Sequence, residues 1–187
     1  MVNHLSAWAR RIAQNQLETS LPRRWAHTQG VARGAAALEP VFAADSEVLV
    51  AAAFLHDVGY APLLALTGFH PLDGARFLRD EHRTDERLVR LVANHTFALL
   101  EAEERGLRAE LEAEFPILDD QLLTDALTYA DMTTTPDGAP TTPHARIAEI
   151  VARYGPDTVV GRFIQRAEPE IMATAARVEQ AVAAQPR

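Results

Sequence analysis

The sequence contains no cysteine and no lysine. Without cysteine, a thiolate nucleophile, a zinc–thiolate cluster and a disulfide are all excluded, and the absence fits a cytosolic compartment without proving one. Without lysine, neither a phosphate-loop lysine nor a lysine Schiff base can form, and all 18 basic residues are arginine. No apolar stretch approaches the roughly 18 residues that a transmembrane helix needs. Met1–Glu18 also lacks the apolar core of a secretory leader. A cytoplasmic protein with no membrane partner is therefore expected. The net charge of −8 repels phosphate backbones over long range and argues against duplex nucleic acid. It leaves room for a local arginine cluster that holds a small phosphorylated molecule.

What is present is a helical pattern. Hydrophobic residues make up 48% of 187 positions, which suits one domain with a sizeable core. Apolar spacing predicts a helix over 4–17, with Leu5, Trp8, Ala9, Ile12 and Gln16 on one side. A second spans about 22–38 and is closed by Pro40, and a third spans 46–57. After a short apolar turn at 61–68, helices are expected at 71–81, 85–95 and 97–114, the last broken near Gly106. Thr84 or Asp85, and later Asp119 or Asp120, are the expected caps. A helix over 120–131 should bury Leu122, Leu123, Ala126, Leu127 and Ala130. The Thr/Pro/Gly stretch 132–143 is the longest loop. Helices at 143–154, 157–167 and 169–183 complete the chain. No strand, repeat or dividing linker is evident. The expected fold is all-α, with eight to ten helices in one domain over 1–187.

The most unusual stretch is Val48–Tyr60. Eight apolar residues, Val48 to Leu55, run into His56 and Asp57. Asp45 or Ser46 can cap the start, and Gly59 is a ready stop. A helix apolar on every side belongs in a core. Two polar side chains at its buried end are costly unless something satisfies them. A divalent cation would do so, with His56 supplying a nitrogen and Asp57 an oxygen. The alternative is that the pair merely caps the helix.

Three further helices carry an unexplained His or Asp on the apolar side: His27, His95 and Asp131. His70 precedes a helix start. His4, His82 and His144 lie in polar surroundings and are expected on the surface. The charged run Glu101, Glu103, Glu104, Arg105 reads as a solvated face.

The ordered set His27, His56-Asp57, Asp131 resembles the H…HD…D signature of the HD-domain superfamily of metal-dependent phosphohydrolases, over about residues 20–135. His70 and His95 fall where six-ligand H…HD…H…H…D members place two more histidines. The resemblance implies that Asp57 bridges two ions, with His27, His56 and Asp131 on one and His70 and His95 on the other. It implies one or two divalent transition metals per chain. Mixed nitrogen and oxygen ligation suits Fe, Mn, Co or Zn better than Mg. It also implies hydrolysis, by a metal-bound hydroxide, of a small phosphomonoester, nucleotide or dinucleoside polyphosphate. Asp57 is the residue expected to be essential. His95 touching a phosphate without binding metal, and His70 capping a helix, are the alternatives at those two positions.

The sequence departs from the family's frequent His-Asp-x-Gly-Lys, since Tyr60 stands at the lysine position. Arg23 and Arg24, one turn before His27, can supply the missing charge, or are surface arginines. Thr133, Thr134 and Asp137 are expected at the mouth of the site. Asp73 is a candidate partner for a ligand imidazole, or an exposed carboxylate at a helix start. The Glu-Asp motif of alarmone hydrolases is missing. Two other readings stand beside hydrolysis: a di-iron oxygenase, as in a few six-ligand members, and a non-catalytic metal- or nucleotide-binding regulatory module. Alanine-rich terminal helices could pack between copies in a homo-oligomer.

Overall fold

In the computed structural model, residues 4–185 are described. Helix α1 (His4–Leu17), α2 (Pro22–Ala37), the single turn α3 (Glu39–Phe42) and α4 (Ser46–Leu55) form the first group. A 3-10 turn, Val58–Tyr60, and a loop lead to α5 (His70–Asp80) and α6 (Glu86–Asn94). A second 3-10 turn, His95–Phe97, then feeds α7 (Ala98–Arg105), α8 (Arg108–Glu114) and α9 (Gln121–Met132). Helices α10 (Pro143–Tyr154) and α11 (Val159–Ala183) close the chain. Among the described residues there is no strand, only one isolated bridge between Thr134 and Pro140. The fold is all-α, as the apolar spacing predicts.

Helix α4 is the hub. It packs against α1, α2, α6 and α9, and Leu49, Ala51, Ala52, Ala53 and Leu55 are fully enclosed. Its low polarity on every side follows from having neighbours on every side. The three consecutive alanines let those neighbours approach closely. A smaller second core joins α9 to α10 and α11 through Met132, Ile147, Ile150, Phe163, Ile164, Ala167 and Ile171.

Several local expectations change. Helix α4 ends at Leu55, with His56 as its C-cap and Asp57 opening the 3-10 turn. Gly59 is no left-handed stop. A Cβ there would sit 2.1 Å from the His70 carbonyl oxygen and 2.5 Å from the Gly74 nitrogen, so its role is a backbone crossing between this turn and α5. Asp45 precedes α4 without capping it by its side chain, because Arg87 takes its carboxylate. Asp85, Asp120 and Thr142 do accept from backbone N–H groups of their helices, as N-caps should.

Pro40 sits inside α3 instead of ending α2. Leu122 is turned outward, 37% exposed. The two expected C-terminal helices are one, running through Pro169. Pro169 lies on the solvent side, where the carbonyl it leaves without an N–H partner can reach water.

His144 is exposed, whereas His82 is half-buried edge-on to Trp8 and Phe77. The side chain of His4 lies outside the described residues. No helix among those described is long and apolar enough to cross a membrane.

Candidate metal centre

The predicted ligands come from five separate segments and meet beneath the surface. His27 comes from α2, His56 and Asp57 from the end of α4, His70 from the start of α5, His95 from the end of α6 and Asp131 from α9. All are buried or nearly so. Two groups have ligand atoms within 4.8 Å of one another, His27–His56–Asp57 and Asp57–His70–His95, and Asp57 belongs to both. Asp131 Oδ1 lies 3.0 Å from His27 Nε2 and 4.0 Å from His56 Nε2.

The helix ends explain how imidazoles come to point inward. The last turn of a helix leaves carbonyls without intrahelical partners. His56, just past α4, donates Nδ1–H to the Ala53 carbonyl at 2.8 Å. His95, just past α6, does the same to Val92 at 2.6 Å. In each case the ring caps the helix with one nitrogen and turns the other toward the cluster. His27 reaches the same state differently, donating Nδ1–H to Thr135 O at 3.0 Å. That oxygen is available because the 133–142 loop lies directly on α2. A Cβ on Gly30 would come within 2.6 Å of the Gly138 oxygen, so only glycine permits the approach.

These donations decide the tautomers. A carbonyl can only accept, so three rings carry their proton on Nδ1 and present an Nε2 lone pair inward. The buried Nε2 of His56 has no hydrogen-bond partner at all. His70 Nε2 and His95 Nε2 face each other at 3.1 Å. The Nε2 of His27 faces a carboxylate oxygen. Lone pairs gathered this closely in a buried space need a cation among them. The donor set, four imidazole nitrogens and two carboxylates, therefore fits a divalent transition metal.

Electrostatics point the same way. Burial alone would push the Asp57 carboxyl up, but Arg24, His56, His70 and His27 together hold it well below the usual carboxylate range. Burial likewise opposes ionisation of Asp131, but its neighbours His27, His56 and Arg146 together hold the carboxyl well below the usual carboxylate range. Both side chains are thus anions in the site. Burial lowers the basicity of His56 and His70, the partial opposition of Asp57 notwithstanding, which keeps their nitrogens free as ligands.

Around the ligands, Arg24 donates from Nη1 to Asp57 Oδ2 at 2.6 Å, and its guanidinium lies 3.6 Å from the Tyr60 ring centroid. Tyr60 in turn stacks on His70, centroids 3.9 Å apart and 17° from parallel. Burial pushes the Tyr60 hydroxyl up against the pull of Arg24, so it stays protonated and can donate. These two residues line a cavity of about 80 Å³ that opens onto the ligands.

The other residues expected at the site lie elsewhere. Arg23 is exposed and paired bidentately with Asp137 at 2.8 and 3.0 Å, outside that cavity. Thr133 and Thr134 spend their hydroxyls on the Tyr129 and Ala130 carbonyls at the end of α9, and neither lines the cavity. Asp73 is buried and receives the Thr67 N–H and hydroxyl, closing the loop before α5, with no contact to an imidazole. That loop-closing role stands in place of the expected partnership with a ligand imidazole, and the carboxylate is buried rather than exposed at the helix start.

Four lining residues were not singled out by sequence reasoning. Thr96 donates from Oγ1 to Asp131 Oδ2 at 2.6 Å. It does so from a left-handed backbone, φ +47°, followed by Phe97 at φ +59°. Two consecutive non-glycine residues in that region store strain, which is common beside functional sites. Glu101, assigned to a solvated face, is buried in the cavity wall and paired with Arg105. Its spacing with buried Ala98 and Ala102 is the signal that could have found it. Arg146 and Arg153 enter from α10, where the spacing 146, 150, 153 marks a single face.

Neither curated proteins nor solved structures gave a match to this chain. Residues 24–151, which include all six clustered residues and all five segments that carry them and reach into α10, match the HD domain, and the chain belongs to the HD domain family.

Proposed function

We propose that the protein is a metal-dependent phosphohydrolase. The observation that carries this is the pair of ligand groups sharing Asp57, with Asp131 against the first. His27, His56, Asp57 and Asp131 would hold one cation, and Asp57, His70 and His95 a second. A divalent metal bound there supplies an acidified water and charge to offset the phosphoryl oxygens.

The chain's own groups do the rest. Three backbone carbonyls orient three of the four imidazoles. Arg24 neutralises the Asp57 side of the cavity and presents its guanidinium to an incoming phosphoryl group. Tyr60 offers a protonated hydroxyl. In the reaction a water oxygen bonds to phosphorus as the phosphorus–oxygen bond to the leaving group breaks. One water proton goes to the leaving oxygen or to solvent.

Anaerobic purification with metal analysis, followed by a phosphate-release screen, tests this reading. One to two transition metals per chain and metal-dependent phosphate release are expected. Asp57→Asn should lose activity by about a hundredfold or more, because the shared charge is gone. Turnover that requires dioxygen and Fe(II), or undiminished turnover in Asp57→Asn, would overturn it.

A further inference from the structure

A second cavity of about 290 Å³ adjoins the metal centre, and Arg24, His27, Arg146 and Arg153 line both. Arg23 joins them on the outer side, with Ser20, Leu21 and Pro136. Four arginines thus border one continuous space in a chain whose net charge is −8. Their carboxylate partners are few. Arg23 has Asp137 and Arg24 has Asp57. Among the described residues the ion pairs of Arg146 and Arg153 are both with Glu149, so two cations share one ion-paired carboxylate on this face of α10.

Arg146 is the telling residue. Its side chain is only 8% exposed, and its Nε is buried without a hydrogen-bond partner. A buried guanidinium nitrogen left unpaired is costly, and an anion in the cavity would complete it. Arginine is the residue type suited to that, since its planar fork binds phosphate bidentately.

The two volumes suggest how a substrate divides. The inner space is sufficient for a phosphoryl group with water, whereas the outer one approaches the lower limit of ordinary ligand pockets. We infer that Arg146 and Arg153 form a second anion subsite beside the metal centre. The substrate then carries at least two phosphoryl groups, one on the ligand cluster and one on these arginines. This rests on the phosphohydrolase reading and narrows it away from simple monoesters.

Calorimetric titration of the manganese-loaded protein with orthophosphate and pyrophosphate tests the inference directly. Pyrophosphate should bind about tenfold or more tightly than orthophosphate. In Arg153→Gln and Arg146→Gln that preference should shrink severalfold, while metal content per chain stays at the wild-type value. Arg153 is partly exposed, so its variant remains informative should the buried Arg146→Gln fail to fold. Equal affinity for the two anions, or a preference unchanged in Arg153→Gln, would overturn the subsite and assign any selectivity to the metals. The two readings fail separately. An arginine-dependent preference without phosphate release sinks the hydrolase, and monoester turnover without the preference sinks the subsite.

Discussion

His56 shows how one side chain serves both stability and chemistry. Its Nδ1 closes a helix end, and its Nε2 is left bare in the interior. Capping and ligation are compatible because imidazole has two nitrogens with opposite roles. Thr96 acts one step further out, fixing the free oxygen of Asp131. Thr96→Val should therefore weaken metal binding by about 10- to 100-fold, the range seen when partners of ligands are removed. Thr96→Ser should restore it. Competition with a chelator of known affinity checks both, and an unchanged affinity in Thr96→Val would remove Thr96 from the site.

The six clustered residues were legible in the sequence mainly as an ordered set: His27, His56-Asp57, His95 and Asp131 interrupt apolar helical faces or ends, and His70 joined them only through its place in the H…HD…H…H…D order. Glu101 was not legible, since a charge in a charged run reads as surface until the opposing wall is known, and Arg146 drew no notice because nothing around it in the sequence marks its side of α10 as buried. Thr133 and Thr134 show the converse: nearness in sequence to Asp131 did not bring them to the cavity, because the end of α9 uses their hydroxyls first.

At the scale of elements, the starts of α6, α9 and α10 could be read from their caps, and most misassigned ends involve proline or glycine. Pro169 lowers helix propensity wherever it stands, yet α11 continues through it, held by Phe163, Ile164, Ala167 and Ile171 against α9 and α10. Tertiary packing outweighs the local penalty. Replacing it, as Pro169→Ala, should then stabilise the protein by roughly 1–3 kcal/mol, since the helix interior regains a hydrogen bond. Urea unfolding measures this, and a loss of stability would mean the proline is needed.

Gly59 makes the opposite case. Its neighbours across the crossing are backbone atoms of His70 and Gly74, which cannot swing aside. Gly59→Ala must open the contact between the 3-10 turn and α5, at a cost of about 1–3 kcal/mol. It should also displace His70 from His95, so metal content at the Asp57–His70–His95 group should fall along with the unfolding midpoint. A destabilised variant with full metal content would separate the crossing from the site.

For the molecule as a whole, the ligands tie α2, α4, α5, α6 and α9 to one point, so a cation there would act as a cross-link between elements distant in sequence. Ligand binding to the folded state alone stabilises by mass action, about 4 kcal/mol at a thousandfold excess over the dissociation constant. Chelation should accordingly lower the thermal midpoint by many degrees and leave a folded protein, since the α4-centred core does not depend on the metal. A chelated protein with an unaltered midpoint would mean that no cation links these helices.

The central claim is that five segments deliver imidazoles and carboxylates to shared cation sites. Metal content per chain, measured on anaerobically purified wild-type protein beside His56→Ala and Asp57→Asn, tests it most directly. One to two transition-metal ions in the wild type and a small fraction of that in both variants are predicted. A wild-type protein that takes up no metal when it is supplied, or variants that retain the full complement, would contradict it.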